Sequence, residues 1–218
     1  MTKMLIRRTI RILFNRAHDR IWIKPVSTIW AKVSLWLWGA EVGKDLIVRG
    51  RLRLRLEGRI QIGDGVRFNS GAGNFVGIDR RMSIHVSGSG TLLIGDGCGL
   101  SNTTIVCLNR IVIHPWTFIG GGCSIYDTDF HSLEAEDRIA GRGIVTCLPV
   151  EIGPKAFVGG HSIILKGVTI GEGAVVGAGS IVTKSIPPYE MWAGVPARFI
   201  RRLEDVQSMH ENKVECAE

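Results

Sequence analysis

The sequence predicts an all-β solenoid, and three observations carry that reading. From Glu151 to Pro187 the chain repeats in sixes: Ile152-Gly-Pro-Lys-Ala-Phe, Val158-Gly-Gly-His-Ser-Ile, Ile164-Leu-Lys-Gly-Val-Thr, Ile170-Gly-Glu-Gly-Ala-Val, Val176-Gly-Ala-Gly-Ser-Ile and Val182-Thr-Lys-Ser-Ile-Pro. An aliphatic residue opens every block, and a small or β-branched one (Ala156, Ser162, Val168, Ala174, Ser180, Ile186) sits four places on. A fixed short period marks a repeat architecture, in which stacked short strands bury together a face that none could bury alone. All 28 glycines lie between Gly39 and Gly194, which bounds the repeat region. The apolar spacing does not follow the three-and-four rhythm of an α-helix.

Residues 1–38 contain no glycine and read as helical, with a break expected at Pro25. Apolar Leu5, Ile10 and Ile12 to Phe14 are interleaved with Arg7, Arg8, Arg11 and Arg16, and Trp22, Trp30, Trp36 and Trp38 follow. Two readings stand: a basic, aromatic helix that lies on an anionic membrane surface, or a helix that caps the open end of the solenoid or packs on a neighbouring subunit.

Residues 39–112 read as early, less regular coils with clean blocks at Ile62, Ile94 and Leu100. Leu46 to Leu56 alternates apolar residues with Arg49, Arg51, Arg53 and Arg55, as a strand with one solvated face does. Three further blocks open at Ile113, Ile119 and Ile125, and the last runs into Asp127-Thr-Asp-Phe-His131. The repeat then stops. Residues 132–149 are polar and irregular, and a loop that long inside a solenoid is usually functional. The repeat region is set at 39–198. Phe199, Leu203, Val206 and Met209 keep helical spacing, so 199–218 reads as a C-terminal helix and tail.

The hydrophobic fraction of 45% is enough for a sizeable core, and no apolar run reaches the roughly 18 residues of a membrane span. The net charge of +7 suits an anionic cofactor or an anionic surface; no nucleic-acid motif accompanies it. Cys98, Cys107, Cys123, Cys147 and Cys216 form no metal spacing and read as plain thiols of a reducing compartment.

These blocks resemble the hexapeptide-repeat acyltransferases, over roughly residues 60–200. The resemblance implies a left-handed parallel β-helix with three blocks per triangular coil, against the usual right-handed crossover. The segment Asp127 to His131 is similar to the catalytic segment of the sugar O-acetyltransferases of the galactoside, maltose and nodulation-factor type. That likeness implies acetyl-CoA as donor, a saccharide hydroxyl as acceptor, direct transfer, and His131 as general base. The chemistry agrees. A sugar hydroxyl is a weak nucleophile, and imidazole can take its proton at the moment of attack. The resulting oxyanion needs a donor, and the thioester already supplies a good leaving group.

Asp129 is read as an orienting or acceptor-binding group beside the plain alternative of a turn-forming Asp. Asn102 matches an active-site Asn of the galactoside type, with an inward-stacked or turn Asn as its alternative. By the same resemblance Gly160 and Ala178 contact the pantetheine arm, Thr183 and Lys184 lie near the adenine and phosphates, and Arg198, assisted by Arg201, binds phosphate. Phe157 stands where the sugar enzymes often carry Trp. The family also implies a homotrimer with active sites between subunits, and no metal. A surface or capsular polysaccharide precursor is the expected acceptor. The expected location is cytoplasmic, with 1–38 as the candidate contact to the inner membrane face.

Rival readings are an N-acetyltransferase of an amino sugar, a serine-type acetyltransferase, a non-catalytic scaffold, and a zinc hydratase of the same fold. For the last, His114, His131 and His161 are widely spaced.

Overall fold

A computed structural model describes residues 24–71, 74 and 80–203. The basic stretch Leu5 to Arg16 and Trp22 lie outside the described residues. Short strands wind into a triangular prism with three parallel sheets. The first holds Glu41–Val42, Arg59–Ile62, Thr91–Ile94, Arg110–Ile113, Val150–Ile152 and Thr169–Ile170. The second holds Ile47–Arg49, Arg67–Asn69, Gly99–Ser101, Phe118–Ile119, Phe157–Val158 and Val175–Val176, then Glu190–Gly194 and Ala197–Arg202. The third holds Arg53–Leu56, Ser83–Val86, Thr104–Cys107, Ser124–Tyr126, Ile163–Ile164 and Ile181–Val182. The chain visits the three in rotation, so three blocks of six make one coil.

Register explains the period. The block openers pair with one another from coil to coil: Ile113 with Ile152 and Ile170, Ile119 with Val158 and Val176, Ile125 with Ile164 and Val182. All of these side chains are buried, and they form the inner columns of the core. The residues four places on are buried too. Ser162 and Ser180 survive there because their hydroxyls donate to Gly159 O and Gly177 O at the corner just before; a buried hydroxyl without a partner would be costly.

A glycine follows four of the six openers between Ile152 and Val182, for a reason other than backbone angle. At Gly159 a Cβ would stand 2.5 Å from Ala178 N, and at Gly171 2.3 Å from Pro188 N, both in the coil above. The stacked corners come too close for any side chain, and neither residue has a positive φ.

The helix α1 (Lys24–Leu37) carries Pro25 in its first turn, and the residues before Lys24 lie outside the described residues. Proline is suited to a first helical turn, where its missing N–H costs nothing. Ala31 and Leu35 are buried against the first coil, and Ser27 and Thr28 hydroxyls donate to Val48 O while Thr28 Oγ1 accepts from Val48 N. The helix so covers the start of the second sheet. The arginine row belongs to two strands: Arg49 ends a second-sheet strand, Arg53 and Arg55 lie on the third sheet, and Arg51 is at the corner between. All four are exposed.

Two further expectations are corrected. Residues 132–149 contain the one-turn helix α2 (Ala135–Ile139). Residues 197–202 form a strand antiparallel to 190–194, not the start of a helix. The last coil leaves an open strand edge, and the returning chain pairs with it. Residues 204–218, with Val206 and Met209, lie outside the described residues.

The thiols test the core directly. Burial raises Cys98 and pushes Cys107 to about 12 and Cys123 to about 11, with the Asp127 carboxylate adding to the shift at Cys107. Thiolate is the reactive form. Native alkylation near about pH 8 is therefore expected to modify the half-exposed Cys147 and to spare Cys98, Cys107 and Cys123. Peptide mass spectrometry would read this out, and rapid modification of any of the three would contradict the stacked core.

Candidate active site

His131 stands at the corner between the third and first sheets, where the chain leaves the prism for residues 132–149. Asp127 builds this corner. Its side chain is fully buried, Oδ1 accepts from Leu108 N (2.8 Å) and Oδ2 from Asn109 N (2.7 Å), both in the coil below. The carboxylate thus satisfies two donors at a corner that has no ladder partner for them.

The excursion comes back antiparallel to this segment. Leu148 N donates to Asp127 O, Thr128 bridges to Cys147, and Asp129 N donates to Thr146 O. Between these ties Phe130 takes a left-handed φ of 67°, with its amide donating to Thr128 Oγ1 and its ring set edge-on to Tyr126 at 5.1 Å. Such a backbone costs a non-glycine residue roughly 1–3 kcal/mol and persists only where its surroundings impose it. The outcome is an exposed His131 on a fixed corner.

Asp129 Oδ1 accepts from Lys166 Nζ at 2.8 Å, and both side chains are largely buried. Asp129 Oδ2 is buried with no hydrogen-bond partner among the described residues. Two residues before His131, this carboxylate oxygen lacks the partner that a buried acceptor ordinarily has.

Most of the other expected site residues fall at two corners. Thr183 and Lys184 lie exposed at the His131 corner, two coils above. Gly160 and Ala178 stack at the next corner, between the second and third sheets, and Arg198 lies in the last strand of the second sheet. At that corner Gly179 N donates to Gly160 O, and Arg198 is registered opposite Ala193 in the closing hairpin. Arg198 and Arg201 are exposed, and Arg198 Nη1 donates to Ala197 O. Asn102 belongs to this second corner as well. It is buried with φ 43°, and its Oδ1 accepts from Gly71 N. One chain therefore does not bring Asn102 to His131. Phe157 lies on the outer face of the second sheet, paired with Phe118. His114, His131 and His161 stand at three different corners, and His114 Nε2 is 2.6 Å from Glu151 Oε1.

The profile of the hexapeptide repeat of succinyl-transferase matches residues 149–184. The galactoside O-acetyltransferase of Escherichia coli (strain K12) is 51% identical over 63 residues, 29% of this chain and 31% of that protein. The matching segment spans less than a third of the length of the curated relatives it first meets. Among solved structures, a variant of AntD, an N-acyltransferase from Bacillus cereus in complex with dTDP and coenzyme A, is similar at TM-score 0.60 and 25% identity, over 78% of this chain and 88% of that one. A galactoside acetyltransferase in complex with coenzyme A is similar at TM-score 0.55 and 25% identity, over 88% and 80%. The coils and these likenesses define a left-handed parallel β-helix of hexapeptide repeats. In repeat and in fold the chain is similar to the hexapeptide-repeat acyltransferases.

Sequence reasoning missed two residues here. Lys166 is one coil above Asp129, a register visible only once the 132–149 excursion is set aside. Asp127 was read as part of a motif, while its role is to hold the corner.

Proposed function

We propose that the protein transfers an acetyl group from acetyl-CoA to a hydroxyl of a saccharide, in the cytoplasm, as a homotrimer whose sites lie between subunits. The observation that carries this reading is the His131 corner: a base on a fixed turn, next to a carboxylate held by Lys166 with one oxygen open. The relatives' coenzyme A complexes support the donor. The separation of Asn102, Gly160, Ala178 and Arg198 from His131 supports the trimer, because the second corner of one copy would have to meet the third corner of another to complete the site.

In this mechanism the acceptor hydroxyl donates its proton to the His131 imidazole as its oxygen attacks the thioester carbonyl. The tetrahedral oxyanion collapses, the C–S bond breaks, and the imidazolium returns the proton to the CoA sulfur. No covalent enzyme intermediate is needed. Asp129 orients the acceptor through its open oxygen, and Lys166 keeps that carboxylate in place. Arg198, with Arg201, holds the donor's phosphates, Thr183 and Lys184 lie near its adenine end, and a surface or capsular polysaccharide precursor supplies the hydroxyl.

A second reading, N-acylation of an amino sugar, is favoured by the likeness to AntD. Incubation with labelled acetyl-CoA and matched pairs of hydroxyl and amino sugars separates the two. Label that hydroxylamine removes from the product is an ester, as expected; label that resists it is an amide and favours the second reading. No transfer to any sugar would sink both.

A further inference from the structure

The helix α1 is apolar on two opposite sides. Ala31 and Leu35 face the core, while Val26, Ile29, Trp30, Val33, Trp36 and Leu37 fall on an arc of about 120° pointing the other way at 3.6 residues per turn. That outer face is open: Trp30 is 68% exposed, Trp36 74% and Leu37 71%. A capping helix needs one apolar side, so the second has to be explained by something it meets.

The face is bordered by cations. Lys32 on the helix is exposed, as are Arg49, Arg51 and Arg53 of the first coil, and among the described residues these arginines form no ion pair; Arg55 is paired with Glu57. The apolar and basic parts are continuous: Val26, Trp30, Leu52 and Leu54 line a groove of about 420 Å³ that Arg51 also borders. None of the first coil's acids, Glu41, Asp45 and Glu57, lines this groove.

Charge decides among occupants. The chain's own preceding segment carries Arg7, Arg8, Arg11, Arg16 and Arg20 against Asp19 alone, so it adds to the positive charge and does not complement it. A second copy seated face to face would set one unpaired arginine row against another. An occupant that is both anionic and apolar fits. We infer that this end of the solenoid docks on an anionic lipid bilayer, with Trp30, Trp36 and Leu37 in the interface and Arg49, Arg51 and Arg53 on the headgroup phosphates. The inference does not depend on the proposed reaction.

The test is co-sedimentation of the full-length protein with vesicles of phosphatidylcholine alone or mixed with phosphatidylglycerol. Preferential binding to the anionic vesicles at low salt, weakened by high salt, is expected. Trp30→Ser with Trp36→Ser should weaken it about tenfold or more, and so should Arg51→Glu with Arg53→Glu, which changes only exposed side chains. Light scattering and thermal melting are run beside each variant. Equal binding to both vesicles overturns the inference, as does full binding by either double variant. A fall in oligomer mass in the tryptophan variant would assign the face to a contact between copies. Loss of binding in Arg7→Glu with Arg11→Glu, with both other variants unaffected, would place lipid contact in the preceding segment, and either result overturns it.

Discussion

Replacing His131 by alanine is expected to lower acetyl transfer by about 10²- to 10⁴-fold, the range for removal of a general base. The acceptor hydroxyl would lose its proton sink, while the corner itself should stand. Its geometry is set by Asp127, by the Thr128–Cys147 bridge and by the Phe130 turn, none of which uses the imidazole. Release of free CoA with a competent saccharide would measure the rate, and an unchanged melting curve would show that the fold is intact. Transfer at the parent rate in the alanine variant would remove His131 from the mechanism.

The second large effect is on stability. Asp127→Ala leaves Leu108 N and Asn109 N without the acceptors that the buried carboxylate supplies. Losing two charge-assisted bonds of this kind costs roughly 2–5 kcal/mol. For a chain of this size that corresponds to a fall in Tm of about 5–15 °C. Asp127→Asn keeps one acceptor oxygen and should recover part of the loss. Because Asp127 carries the corner from which His131 projects, the alanine variant should also lose activity in the temperature range where it remains folded. A Tm within about 1 °C of the parent would mean that water replaces the carboxylate without cost.

The β-helix was legible because its period is short and each position in the six has one physical task. Ile152, Val158 and Ile164 are apolar since they stack on Ile113, Ile119 and Ile125, and that demand shows directly in the residue type. Two details were not legible. At Gly159 and Gly171 the coil above leaves no space for a Cβ. Such a constraint comes from a neighbour 17 to 19 positions away, which a local reading does not see. Residues 197–202 have apolar spacing that suits a helix, but the open edge at 190–194 takes them as a strand.

At the candidate site, residue types and their order pointed to His131 and Asp129. The Lys166 partner needed the coil register across the excursion, and the placement of Asn102 and Arg198 away from the His131 corner needed the three-sheet geometry. The Trp-rich stretch kept two readings open in the sequence. The helix now shows one face for each: a buried one for the cap and an exposed one bordered by arginines.

The most direct test of the central claim needs no acceptor. Acetyl-CoA is titrated by calorimetry into the purified full-length protein, its Arg198→Ala variant and its His131→Ala variant. The account predicts binding near one site per chain, weakened by about tenfold or more without Arg198, as loss of a charge-assisted phosphate contact implies, and kept without His131. Absence of binding in the parent protein would contradict the acetyltransferase reading.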